Sequence, residues 1–168
     1  MDNSFQDIDT YPMPQIKKCI DLFNSGIFFD MKSPFREAAF IQLMINLNDA
    51  LQFLSQHNKR ITFSDHIKKK NTDKIMDITD LVNTLRNASC HNKSNNRNIE
   101  NSILSFCTFY GKMPNAIKIG DIILGCDFED DIVYAYGENL IYIHRHVRRL
   151  LELIPNECRS LLIKENNP

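Results

Sequence analysis

Leu85-Arg86-Asn87-Ala88-Ser89-Cys90-His91-Asn92 closes a long helix-like run that begins near Asp73. It joins a leucine of an apolar stripe to an arginine and an asparagine, and then to a histidine five positions past the arginine. Five residues turn an α-helix through about 500°, or about 140° net. Arg86 and His91 therefore do not stack on one face as an i,i+4 pair does: either the chain leaves regular helix near Cys90, or the two side chains converge on a groove rather than on each other. Arginine carries a permanent, planar cationic fork suited to phosphate. Histidine has an unperturbed pKa near neutrality. Together they are what metal-free cleavage of a phosphodiester requires. The same residues also admit a purely local reading. Basic groups near a helix C-terminus are favoured by the macrodipole, and asparagine commonly punctuates a helix end.

Arg86-Asn87-Ala88-Ser89-Cys90-His91 resembles the R-N-x-x-x-H form of the R-x(4–6)-H signature of HEPN-domain proteins, a superfamily with many ribonucleases of bacterial conflict and toxin systems. The motif covers six residues, and the expected architectural match covers about residues 15–154. The resemblance implies a mainly α fold, an antiparallel helical bundle in which the motif lies at a junction of core helices. It also implies a homodimer with a composite active site, in which Arg86, Asn87 and His91 are catalytic. His91 would be the general base or acid, Arg86 would hold the scissile phosphate, and Asn87 would orient the histidine or bind the phosphate. Some HEPN toxins carry a tyrosine two residues beyond the motif histidine; Lys93 stands there. That departure argues against the subgroup whose tyrosine is modified by a partner nucleotidyltransferase.

Upstream of the motif, the spacing of Ile16, Ile20, Leu22 and Phe23 predicts a helix from Met13 to Ser25, stopped by Gly26. Ser33-Pro34-Phe35-Arg36-Glu37 reads as a helix start, with Ser33 at the N-cap and Pro34 at the first helical position. From there to about His57, Phe40, Leu43, Met44, Leu47, Leu51 and Leu54 recur at threes and fours and predict a core-facing stripe. Asn58 to Asn71 is a polar connection holding Lys59, Arg60, His66, Lys68, Lys69 and Lys70. It reads as a solvated face or as a contact for RNA phosphates. Thr72 or Asp73 is expected to open the next helix, with Ile75, Ile78, Leu81, Val82 and Leu85 buried.

Downstream, His91 to Asn98 reads as a polar loop, with Lys93 and Arg97 as candidate RNA contacts. A further helix is expected over about 98–110 and is ended by Gly111 and Pro114. The period then changes. Ala116–Gly125 is β-branched and partly alternating, Phe128–Asp131 makes a turn, and Ile132–Tyr136 reads as the partner strand. This predicts a small β-hairpin, about 116–136, inserted before the last long helix. That helix is expected to run from Gly137 to Ile154 and to stop at Pro155. It carries His144, Arg145, His146, Arg148 and Arg149, a basic ridge or a solvated face. Arg145 and Arg148 join the candidate RNA contacts.

The chain has 168 residues, which suits one domain, expected over 13–163 with flexible ends at 1–12 and 164–168. Net charge is −1, so a nucleic-acid site must be a local patch. Five widely spaced cysteines without a C-x-x-C read as reduced thiols in a cytoplasmic protein. The acidic, polar N-terminus is unlike a signal peptide, and no apolar run approaches membrane-spanning length. Zinc-ligand spacing, an EF-hand, a phosphate-binding glycine loop, a dinucleotide fingerprint and a hydrolase elbow are all missing from the sequence. Neither a metal nor another cofactor is expected. The functional expectation is a metal-independent endoribonuclease that uses the ribose 2′-OH as nucleophile. Its partners would be an RNA substrate, a second copy of the chain and an antitoxin or other regulatory protein, with no membrane. The alternative is a non-catalytic module of the same resemblance that dimerises or binds a partner.

Overall fold

The computed structural model describes residues 11–68 and 74–165. Among them are four α-helices and seven strands, the strands forming three antiparallel sheets. The expected mainly α bundle with one inserted hairpin is therefore corrected to a mixed α and β architecture. Contacts divide the chain into two units, residues 1–61 with 150–168, and residues 62–149.

The first unit holds α1 (Met13–Asn24), α2 (Arg36–Gln56) and all but the first residue of α4 (Arg149–Glu165). α1 forms where the spacing predicts it, with Ile16 and Cys19 buried and Gly26 at φ +77° just beyond. It packs against α2, and the Cys19 thiol lies 4.0 Å from the Leu43 carbonyl oxygen. The α2 stripe is buried as expected, from Phe40 through Leu43, Met44, Leu47 and Leu51 to Leu54. Its start is displaced. The Ser33 hydroxyl accepts from the Phe35 N–H at 3.3 Å, a bond two residues on, which makes a local turn rather than a cap. The helix begins at Arg36. Lys59, after α2, pairs with Glu157 of α4 at 3.0 Å.

The second unit holds α3 (Ile78–Cys90), β1 (Asn98–Ile99), β2 (Ser102–Ile103), β3 (Cys107–Tyr110), β4 (Met113–Ile119), β5 (Ile122–Cys126), β6 (Ile132–Tyr136) and β7 (Asn139–Tyr142). A six-residue π-helical turn, Ile143–Arg148, follows β7. Three expectations fail here. The helix over about 98–110 is replaced by β1, β2 and β3. Ile99 is fully buried while Ile103, four residues on, is 69 % exposed, so the two do not share a buried helical face. The chain instead reverses between Ile99 and Ser102, with Glu100 at φ +50°.

The hairpin over 116–136 is replaced by two separate pairings. β4 turns back onto β5 through Gly120-Asp121, with Ile119 opposite Ile122. Gly120 sits at φ +56°, as the first central residue of such two-residue turns favours. Its missing Cβ also makes room for the Glu100 carboxylate, which accepts from the Asp121 N–H at 2.8 Å. Ile132–Tyr136 is thereby left to pair elsewhere. β6 lies between β3 and β7 and is buried along its whole length, as a central strand covered on both faces must be.

The helix expected from Gly137 begins six residues late. Gly137 and Glu138 form a second two-residue turn, β7 returns along β6, and helical structure starts at Ile143. Pro155, expected to stop that helix, lies inside α4. It removes one backbone donor, but the helix continues to Glu165.

The core of this unit gathers Ile99, Phe109, Leu124, Val133, Ala135, Leu140 and Tyr142, and α3 packs on β6 and β7. Full burial of such side chains contributes about 1.5–3 kcal/mol each. The helix opening expected at Thr72 or Asp73, Lys69 and Lys70, and most of both chain ends lie outside the described residues. Among the described residues no helix is long and apolar enough to cross a membrane.

Candidate functional site

α3 is fixed at its start by two aspartates. The Asp77 side chain accepts from the Asp80 N–H at 3.0 Å, and the Asp80 carboxylate reaches back to the Met76 N–H at 3.1 Å. This is a reciprocal arrangement of the capping-box kind. Ile78, Leu81, Val82, Leu85, Ala88 and Ser89 form the buried side. Ile75, read as part of this stripe, precedes the helix.

The helix ends at Cys90, where the sequence reading placed the break. His91 takes extended backbone angles, φ −123° and ψ 107°, and its N–H donates to the Asn87 carbonyl at 3.2 Å. The carbonyls of the last turn need partners, and Arg97 provides them. Its Nε donates to the Ala88 carbonyl at 2.5 Å and its Nη2 to the Ser89 carbonyl at 3.3 Å. The guanidinium also lies 5.2 Å from the centre of the Tyr136 ring.

At the motif, Arg86 and Asn87 are brought together. Arg86 Nη1 donates to Asn87 Oδ1 at 3.0 Å, and both side chains are half-buried. Arg86 Nε is buried with no hydrogen-bond partner among the described residues. His91 is exposed, and its imidazole has no partner among the described residues. Asn87 thus engages the arginine and not the histidine. Lys93 is exposed beyond the motif, with no ion pair among the described residues.

The other two expected RNA contacts lie on the π-helical turn. Arg148 is exposed. Arg145 is half-buried and engaged by the chain itself. Its Nη1 pairs with Asp131 at 3.0 Å and its Nη2 with Asp130 at 2.9 Å, and its guanidinium stacks 3.6 Å from the centre of the Phe128 ring. The Arg145 guanidinium beside Asp130 holds that carboxyl below the usual carboxylate range.

Phe128–Asp131, expected only as a turn, contains a structural anchor, and Asp127 just before it holds a second role. Asp131 is 2 % exposed. Its Oδ1 accepts from the Ile132 and His144 N–H groups, both at 2.8 Å, and its Oδ2 accepts from the Arg145 N–H at 3.0 Å. It therefore caps the start of the π-helical turn. Asp127 accepts from the Tyr142 hydroxyl at 3.0 Å. Burial and this carboxylate push the Tyr142 hydroxyl well above its ordinary pKa.

His146 was likewise not distinguished from the basic ridge. It is fully buried. Its Nδ1 accepts from the Tyr142 N–H at 3.2 Å, which leaves Nε2 to donate to the Asp65 carbonyl at 2.8 Å. Those bonds fix the neutral tautomer, and burial pushes its pKa down to about 4. Asp131 directly precedes the fully buried strand β6, and His146 sits four residues past Tyr142 at the end of β7.

Among the described residues no three His, Cys, Asp or Glu side chains gather so as to hold a metal ion. Compared with known proteins, the chain matches no family model, no curated protein and no solved structure.

Proposed function

We propose that the end of α3 is the catalytic half-site of a metal-independent endoribonuclease of HEPN type. The observation that carries this reading is the Arg86–Asn87 pair, with a buried and unpartnered Arg86 Nε, set five residues before an exposed histidine. A buried N–H left unpaired costs about 1–3 kcal/mol, and a phosphate oxygen would satisfy it. His91 would take the proton from the ribose 2′-OH or give one to the leaving 5′-oxygen. An exposed imidazole with no partner among the described residues is open to substrate for either step. Arg86 would stabilise the charge that grows on the phosphate. Asn87, bonded to Arg86, would aim the guanidinium. The products would be a 2′,3′-cyclic phosphate and a 5′-hydroxyl end, and DNA, which has no 2′-OH, would not be cut. The working enzyme would be a cytoplasmic homodimer whose two motifs share one cleft, acting as a toxin or defence effector under a regulatory partner.

A second reading has its own support. Arg97 and Arg145, two of the expected RNA contacts, are engaged within the molecule, and net charge is −1. Those observations favour a module that dimerises or binds a protein partner without catalysis.

The test is cleavage of labelled single-stranded RNA in EDTA by the wild type, Arg86→Ala and His91→Ala. The expected result is cleavage by the wild type that each variant loses by about 10²-fold or more. His91→Ala should keep the fold, because the side chain is exposed beyond the helix end. Absence of cleavage by a folded dimer on every RNA tried would favour the binding module.

A further inference from the structure

A cavity of about 280 Å³ opens within the second unit. Three separate pieces of chain wall it: Thr84 of α3, the 3-10 turn Asn95–Arg97, and the Gly137-Glu138 turn with Asn139 at the start of β7. Lys68 and Lys74 also line it. Its size is just under the range of small-molecule pockets, about 300–1,000 Å³, so it can enclose one base-sized ring while the rest of a ligand stays outside.

The walls are held together by backbone. The Gly137 N–H donates to the Leu104 carbonyl at 2.8 Å, and the Leu104 N–H donates to the Arg97 carbonyl at 2.9 Å. Gly137 sits at φ +57°, and a Cβ there would stand 2.4 Å from the Asn96 carbonyl oxygen, so only glycine lets the two turns close on each other.

Two asparagines of the lining are oriented by these walls. Asn96 Nδ2 donates to the Thr84 carbonyl at 3.3 Å. Asn139 Nδ2 donates to the Asn96 carbonyl at 3.1 Å and to the Tyr136 carbonyl at 3.2 Å. With both amino groups tied to main chain, the atom each amide has left is its Oδ1, an acceptor. Neither Oδ1 has a partner among the described residues. The two lysines add positive charge, against the single carboxylate of Glu138 in the lining. Lys68 lies 3.8 Å from Asp127, and Lys74 is exposed with no ion pair among the described residues.

We propose that this cavity binds one nucleotide through its base, with the Asn96 and Asn139 oxygens accepting from an exocyclic amino group and Lys68 and Lys74 facing the phosphate. The pattern selects adenine, cytosine or guanine, which carry such an amino group, over uracil, which does not. That the nucleotide belongs to an RNA strand rests on the ribonuclease reading. The binding chemistry does not.

The experiment is calorimetric titration of the full chain with adenosine, cytidine, guanosine and uridine 5′-monophosphates and with inorganic phosphate. It is repeated on Lys74→Glu, an exposed position whose substitution leaves the walls intact. At least one amino-bearing nucleotide should bind about tenfold tighter than uridine monophosphate, since the mismatched base leaves an acceptor unpaired. Lys74→Glu should weaken that nucleotide by about tenfold through charge reversal near the phosphate. Binding of uridine monophosphate or phosphate equal to the best nucleotide would overturn the proposal. So would binding that Lys74→Glu leaves unchanged, or no binding by the folded chain. The readout is independent of strand cleavage. Nucleotide binding without any RNA cleavage would remove the ribonuclease and keep the pocket, and cleavage without mononucleotide binding would do the reverse.

Discussion

Asp131→Asn changes one atom of a buried side chain, and its cost can be worked from the contacts. Each carboxylate oxygen accepts two N–H groups: Oδ1 those of Ile132 and His144, Oδ2 the main-chain N–H and the Nη1 of Arg145. All four bonds are 2.8–3.0 Å long. Asparagine offers one acceptor and one donor. Whichever way the amide is turned, two N–H groups lose their acceptor and face an NH2 instead. Hydrogen bonds to a charged group contribute about 1.5–3 kcal/mol each, so losing two costs about 3–6 kcal/mol. Removing one member of a buried ion pair leads independently to a similar figure, about 3–5 kcal/mol. The assay is urea unfolding followed by circular dichroism. At a slope of about 2 kcal/mol per molar, a loss of about 3 kcal/mol lowers the midpoint by about 1.5 M. Asp130→Asn is the control, because Asp130 is exposed and touches only the far nitrogen of the same arginine. Its midpoint should match that of the wild type. If Asp131→Asn also matched the wild type, the claim that this carboxylate anchors the π-helical turn would be wrong.

Two further outcomes are expected. His146 is neutral and buried, with its folded pKa near 4 against about 6.5 unfolded. Between those values the unfolded chain binds the extra proton, so stability should fall by about 3 kcal/mol as pH drops from 7 to 4. In His146→Gln, urea midpoints compared at pH 7 and pH 4.5 should lose that part of the slope, and a slope equal to wild type would refute the assignment. Among the cysteines, burial pushes Cys19 up to about 12 and Cys158 up to about 11, while Cys90 is exposed. Iodoacetamide at pH 8 should therefore label Cys90 first and reach Cys19 and Cys158 only on unfolding. Early labelling of Cys19, read by mass spectrometry, would contradict its burial.

The helices legible in the sequence are those whose apolar stripe is long enough to settle the period. α2 shows six core positions at threes and fours, and α3 five positions with a polar opposite face. The failures lie where two periods fit the same residues. In 98–110, Ile99 and Ile103 are four apart, as on a helix, but Cys107 and Phe109 are two apart, as on a strand. Asn98, Asn101 and Ser102 are poor helix formers that leave the short apolar run to tertiary pairing. In 137–143, Leu140 and Ile143 fit a helix, yet Gly137 at φ +57° supplies a turn that a helix would not use. The signal passed over was the pair of glycines, Gly120 and Gly137. Each starts a two-residue turn between strands, and reading them together would have split one hairpin into two.

The candidate site shows a different limit. Arginine and lysine positions were nominated for RNA by their charge, and charge says nothing of where a side chain finds its partner. Arg97 finds the open carbonyls at the end of α3, and Arg145 finds a buried aspartate. Both are bound to positions the chain itself must satisfy, because unpaired helix-end carbonyls and a buried carboxylate are costly. What distinguishes Arg86 is the opposite condition. It has one bond, to its own neighbour, and a buried nitrogen with none among the described residues. The basic residues that structure uses for itself are the ones whose replacement should unfold the chain. An arginine whose fork is only half engaged can be replaced with its main consequence at the ligand. Arg97→Ala should therefore lower stability, whereas Arg86→Ala should lower activity with a smaller effect on the urea midpoint. The reverse order would move the site away from the end of α3.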